Sequence, residues 1–542
     1  MRRLPRAPFG LLALLLAATS SPAADPLDKT DARVAKLTAA IDKHLTAYWS
    51  AKKVTPAADA DDAEYCRRVY LDLIGRIPRV SESRAFADDA SPTKRAALVN
   101  KLLRTAAFVD NFRSGRRAGC LPRRTTPQTF FQGQLFEQYL QRKFARNAPL
   151  DEIAREVLAA PLGRIQNAGG MRFIQPASQT ADAQAIANFY QANEAKPENL
   201  AASVSRIFLG AKLECAQCHD HPFNSYSRDQ FWQLAAFFGE LSPPLGVRTD
   251  AGPNFPHAEA IRIAIPGTPR SVTATFFDGT EPEWSADRSP RKELADWVTS
   301  PRNPYFARNL ANRIWAHFLG TGIVDPVDEP GDANPPSHPE LLRDLALALA
   351  DSGFDQRVVI RAVTASKAYT RTSRQTDPSQ ANPRHFARVS VRGLTSNQIY
   401  DSFLAATGQR ANAQRAQGFF NPNDPTGAAA FSTQFARGTG KATEAETSIL
   451  QALLLMNGQP TANETSLDKS STLAAVVDAP FLDTPKRVEA LFLSALARKP
   501  TADEAQKFTS YVERGGPSGD KDKALADVFW VLLNSTEFLF NH

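Results

Sequence analysis

The sequence predicts a mainly α protein in which two helical domains are joined by a short β-containing segment. Three observations carry this reading. Apolar residues recur at spacings of three and four along most of the chain, the period of a helix with one buried face. Residues 241–290 differ: Pro243, Pro244, Pro253, Pro256, Pro266 and Pro269 punctuate them, and two short runs alternate as strands do. The chain has 542 residues, 43% hydrophobic and 22% charged, a makeup that excludes wholesale disorder. At about 100–200 residues per domain, that length accommodates at least two cores.

The first 23 residues read as a signal peptide. Arg2, Arg3 and Arg6 precede the apolar run Phe9 to Ala18, and small residues at Ser21 and Ala23 suit cleavage after Ala23. The run is shorter than the about 20 residues a membrane span needs. Export to the periplasm or cell envelope is therefore expected. Removing the three arginines leaves 61 basic against 57 acidic residues, a charge of +4. That balance is too weak and too dispersed for a nucleic-acid partner. No later stretch is apolar for 18 residues, so no integral membrane segment is expected.

Residues 24–240 are expected to form the first helical domain. Val34, Leu37, Ile41 and Leu45 mark one face over 31–50, and Val69, Leu71, Leu73 and Ile74 follow over 64–75 until Pro78. Further helices are expected at 93–108, 130–146 and 150–159, then a Gly/Gln/Asn/Ala-rich loop around 161–181, then helices at 198–213 and 228–239. The connector 241–290 carries strand-like runs at 260–265 and 272–277. Residues 291–542 form the second helical domain, with helices expected at 291–299, 304–319, 337–351, 355–369, 395–406, 446–456, 485–497, 502–513 and 521–538 and a loop at 411–445. Ser337-His338-Pro339-Glu340 reads as a capping box opening one of them.

One motif carries chemistry. Cys215, Cys218 and His219 form C-x-x-C-H, the attachment pattern of c-type haem. On a helix, positions i, i+3 and i+4 share a face, so two thiols meet the two vinyl groups of one porphyrin and the adjacent imidazole meets its iron. Pro222 turns His221 away from that face. Two other readings stay open: a Cys215–Cys218 disulfide, and a structural zinc site using Cys215 and Cys218 with His219 or His221. Met171, in the loop before the motif, is the first choice for a distal iron ligand, with His257, His317, His338 and His385 as alternatives. Cys66 and Cys120 remain as a candidate disulfide that would constrain the unfolded chain by about 4 kcal/mol.

No catalytic constellation emerges. G-x-S-x-G, H-E-x-x-H and a phosphate-binding glycine loop are all missing from the sequence. Asn312, Arg313, Trp315 and His317 share a helix without defining a nucleophile and base, and Asp325, Asp328 and Glu329 read as a solvated acidic turn before they read as a cation site.

Longer stretches add a resemblance. Arg67-Arg68-Val69-Tyr70-Leu71-Asp72-Leu73-Ile74-Gly75, the run CAQCHDHPF at 215–223, NPYFARNLANRIWAHFLGTGIVDPVDEP at 303–330, NPPSHPELL at 334–342 and LNSTEFLFNH at 533–542 are similar to the exported planctomycete cytochrome c-like paralogue family. The resemblance implies an exported two-domain helical protein whose first domain is named for its cytochrome-like motif. Carried over, the motif residues are Cys215, Cys218 and His219. From residues and resemblance together, the expected function is a single c-type haem site used for electron transfer or small-ligand sensing, with a redox or cell-envelope protein as partner. The alternative is a non-redox cell-envelope interaction protein in which zinc or a disulfide staples the same segment.

Overall fold

A computed structural model describes residues 31–112, 127–168, 171–241, 261–285, 288–331, 333–409, 465–467 and 470–542. The described chain is mainly α-helical, and its sheets are small two-stranded pairs. No helix among the described residues is long and apolar enough to cross a membrane.

Most expected helices form where the periodicity places them. Asp31–Lys52, Asp62–Ile74, Leu150–Ala159, Arg228–Ala236, Pro290–Val298, Phe306–Leu319, Pro339–Asp351, Ser396–Thr407, Thr484–Leu496 and Ala502–Glu513 are all helical. In the connector, Arg262–Ala264 pairs antiparallel with Ser271–Thr273. The expected helix 446–456 and loop 411–445 lie outside the described residues.

Several boundaries differ, each for a local reason. The stretch expected as a loop at 161–181 is largely an antiparallel hairpin, Leu162–Ala168 against Met171–Pro176, with Ile165 facing Ile174. Gly169-Gly170, the dipeptide between these strands in sequence, is a hairpin-turn signal that composition alone obscures. Behind it stands an unforeseen helix, Ala181–Ala192, whose first turn is capped by Thr180 accepting from the Ala183 amide at 3.2 Å. Val80–Asp88 is a further helix that follows the Pro78 break. The helix expected over 93–108 stops at Leu103 and restarts at 106, where the Thr105 hydroxyl accepts from the Phe108 amide. That over 355–369 breaks at Ser366, which is extended. Ser535 likewise interrupts 521–538 by capping the turn Thr536–Leu539. The capping box expected at Ser337 is not made, because the Ser337 hydroxyl and amide both donate to the Ile323 carbonyl.

Two hydrophobic cores organise the molecule. The larger gathers Leu37, Ile41, Leu73, Val204 and Phe231 with Trp315, Leu345 and Val359, so helices before and after the connector share it. The second joins Leu394, Phe403, Leu491, Phe529 and Phe538 to Leu71 and Ile77. Leu71 and Leu73 sit on the same helix, Asp62–Ile74, which is buried continuously from Tyr65 to Ile74 and lies between the cores. It begins at Asp61, which accepts from the Glu64 amide at 2.8 Å, and ends at Gly75, where φ is 75°. A β-carbon at Gly75 would stand 2.8 Å from Asn111 Oδ1, and that same side chain donates to the Asp72 and Leu73 carbonyls. Only glycine satisfies both the left-handed backbone and the close approach.

Three charged residues are buried within this helix. Arg68 donates to the carbonyls of Tyr369 at 2.6 Å, Arg371 at 2.9 Å and His542 at 3.1 Å. Arg67 donates to the carbonyls of Glu537 at 2.9 Å and Phe538 at 3.1 Å. Asp72 accepts from the Tyr369 hydroxyl at 2.7 Å, the Asn541 amide at 2.8 Å and Arg392 at 3.0 Å. Arg392–Gly393 in turn pairs antiparallel with Phe540–Asn541. The early helix is thereby bonded to the last residues of the chain.

Asp72→Ala leaves the Arg392 charge buried without its carboxylate, a loss expected to cost about 3–5 kcal/mol. Denaturant unfolding of the variant should show a midpoint shift of that size.

His338 sets a pH dependence. It is buried, packs its ring 4.2 Å from that of Tyr48, and its pKa is pushed down to about 4 by burial, then by the nearby charges of His385, Arg384 and His44. The unfolded chain takes up a proton here below about pH 6.5, whereas the folded protein does not until about pH 4, so stability falls as pH drops through that window. The loss approaches about 3 kcal/mol at its lower end. His338→Phe should remove this part of the slope when thermal midpoints are compared between pH 7 and pH 4.

Candidate functional site

The cysteine motif sits where two secondary structures fail to join. Helix Pro197–Val204 widens into a π turn, Ser205–Leu209, and ends at Gly210. After it, Leu213 and Ala216 are fully buried and pin a short 3-10 turn, Glu214–Gln217, to the first core. The motif is therefore not on the extended α-helix that the spacing suggests. One turn is nevertheless closed, because the Cys215 carbonyl accepts from the Cys218 amide at 3.4 Å and the His219 amide at 3.5 Å. Cys215 and Cys218 are both exposed free thiols, and His219 is exposed beside them.

The flanks are fixed by hydrogen bonds. Trp232 Nε1 donates to the Gln217 carbonyl at 3.0 Å, and Arg206 pairs with Glu214 at 2.9 Å. Asp220 accepts from the Arg228 amide at 2.8 Å, and Ser227 opens the next helix with a capping box to Gln230.

The two histidines of the loop are chemically different. His219 Nδ1 lies 2.7 Å from the Asp220 carbonyl, which can only accept, so Nδ1 carries the proton and Nε2 keeps its lone pair. His221 Nδ1 accepts from the Phe223 amide at 3.2 Å, so in the neutral ring the proton is on Nε2. His219 is thus prepared to coordinate a metal through Nε2, with its other nitrogen oriented by a backbone carbonyl, and His221 is not.

The second half of the chain supplies a seat for this loop. The Lys212 amide donates to the Asp328 carbonyl at 2.8 Å, and the Tyr226 hydroxyl to the Pro330 carbonyl at 2.9 Å. Lys212 pairs with Glu329 at 3.0 Å, a contact that raises its pKa, and Arg313 pairs with Asp328. The acidic turn at 325–329 therefore works as a bracket holding the motif loop. Nothing in the local sequence announces this, since its partners lie over 100 residues away.

Other expected site residues stand apart. Met171 opens a hairpin strand, but its side chain lies outside the described residues, as does His257. His317 Nε2 lies 2.9 Å from the Asp72 carbonyl, His385 Nδ1 3.0 Å from the Ser379 carbonyl, and His338 is packed in the core. Asn312 bonds the Val324 backbone in both directions. Among the described residues no three His, Cys, Asp or Glu side chains gather as a metal site. Cys66 is a buried free thiol pushed up to about 12 by burial, and Cys120 lies outside the described residues.

Comparison with protein families identifies both halves of the chain. Residues 40–242 match the family PSCyt2, described as a protein of unknown function (DUF1549). Residues 290–442 match PSD1, described as a protein of unknown function (DUF1553). The chain is thus similar to two family models of unknown function, one on either side of the connector. No curated protein and no solved structure matches it.

Gly331 packs against the other half, since a β-carbon there would stand 1.6 Å from Asn224 Oδ1. Gly331→Ala should push the Asn224 side chain aside and destabilise the protein by about 1 kcal/mol or less. Asn224→Ala in the same chain should recover most of the loss, which a double-mutant cycle of unfolding midpoints measures.

Proposed function

We propose that the protein is an exported c-type haem protein that transfers electrons or senses a small ligand. The observation that carries this reading is the pairing of two exposed free thiols, one turn apart, with a His219 whose Nδ1 is anchored and whose Nε2 lone pair is open. The donor set fits haem c: Cys215 and Cys218 would hold it through thioethers and His219 Nε2 through the iron. When bound, haem supplies a one-electron couple or an iron position for a small ligand.

The chain's own groups do the rest. The Asp220 carbonyl orients the His219 ring and increases its basicity as a ligand. Leu213, Ala216 and the bracket at Asp328–Pro330 hold the thiols on a rigid base. Phe223, 75% exposed next to the motif, offers an apolar contact for a redox protein in the same compartment. The leader at 1–23 would deliver the chain to that compartment. The seating of the loop on the second domain also favours the alternative, a zinc or disulfide staple in a cell-envelope interaction protein.

Expression with haem-attachment machinery separates the two. Cys215→Ala/Cys218→Ala should abolish covalent haem, and His219→Ala should change the iron's axial spectrum while His221→Ala leaves it intact. Covalent haem in the double variant, or a spectrum governed by His221, contradicts the assignment.

A further inference from the structure

A cleft of about 1300 Å³ is lined by residues other than those of the cysteine motif. Its walls come from Asp62–Ile74 and Val80–Asp88 on one side and from Thr484–Leu496 and the final residues on the other. This exceeds the roughly 300–1,000 Å³ of ordinary ligand pockets, and junctions between packed units are where such pockets collect.

The cleft is lined by apolar side chains together with acids and bases in equal number. Phe86, Leu493 and Leu496 line it as buried apolar surface, and Val391 at its edge is 39% exposed. Arg67 lines it as a fully buried guanidinium bonded only to backbone carbonyls, and its Nε–H has no acceptor. The buried Ser83 hydroxyl, also in the lining, has no partner either. Both groups are therefore free to hydrogen-bond a ligand held in the cleft.

Among the acids of the lining, Glu537 acts on Arg67 through its charge, without a hydrogen bond between them. Glu537 gives both oxygens to Arg498, at 2.6 and 2.7 Å. Glu64 is bonded by Arg68, Thr372 and the Ser373 amide, and Asp62 by Lys94 and Arg95. Arg84 and Arg374 are exposed members of the lining, as is the acid Asp88.

The geometry points to a binding site for an organic carboxylate carrying an apolar chain. The carboxylate lies toward the Arg67–Ser83 end, the chain lies along Leu493, Leu496 and Phe86, and the exposed Arg84 and Arg374 attract the ligand. A free fatty acid and the C-terminus of an apolar peptide share this chemistry. The site is independent of the haem assignment.

Calorimetric titration of the full mature chain tests it, using octanoate, octylamine, and acetyl-Leu-Leu with a free or an amidated C-terminus. Saturable binding of octanoate alone identifies a fatty-acid-like ligand, and binding of the free-acid peptide alone a peptide terminus; both outcomes support the site. Octylamine and the amidated peptide should not bind. Arg84→Glu/Arg374→Glu should weaken binding by about tenfold, with a reduced salt dependence. Ser83→Ala, which leaves the arginine clamp intact, should weaken it by a smaller factor. Failure of both carboxylates to bind, or binding that ignores all three substitutions, overturns the proposal.

Discussion

Everything else in this fold rests on the burial of Arg67, Arg68 and Asp72 in one helix. Removing a charge from water costs several kcal/mol unless hydrogen bonds replace its hydration. Here those bonds come from distant parts of the chain: Arg67 and Arg68 donate to the carbonyls of Tyr369, Glu537, Phe538 and His542, and Asp72 accepts from Tyr369, Arg392 and Asn541. Burial of the helix Asp62–Ile74 and docking of the last residues go together, because those residues supply the carbonyls to which Arg67 and Arg68 donate. Leu71 and Leu73 extend the same helix into the two cores, so polar and apolar requirements select one arrangement.

The cysteine-motif loop is linked to that arrangement at one remove. Its rigidity comes partly from its own turn and partly from Asp328 and Pro330 of the second domain. His317, on the helix that also carries Arg313, reaches the Asp72 carbonyl. The helix Phe306–Leu319 therefore touches the buried charge cluster through His317 and the loop's bracket through Arg313. Arg67 of the same cluster also lines the cleft, where its guanidinium is bonded to backbone carbonyls.

How much of this could be read from the sequence depends on the range of the interaction. Helix periodicity is local, and it located most of the helices, including Asp62–Ile74 through Val69, Leu71 and Leu73. The motif spacing likewise singled out Cys215, Cys218 and His219, and the single closed turn preserves the sense of that spacing within a 3-10 segment. Arg67 and Arg68 carried no such signal. On helical period they look like a solvated face, and only partners about 300 to 475 positions away bury them. Ser337 shows the same override at small scale, since a capping residue by pattern gives its hydroxyl to Ile323 instead. The difference between His219 and His221 was foreshadowed by Pro222, but the protonation of each ring follows from backbone partners that only the folded loop supplies.

The most direct test of the functional account is a reduced pyridine-haemochrome spectrum of the mature protein, expressed with haem-attachment machinery and denatured before measurement. The account predicts the thioether-haem signal at one haem per chain. A folded protein that carries no covalent haem under those conditions, while the machinery matures a control cytochrome, contradicts it.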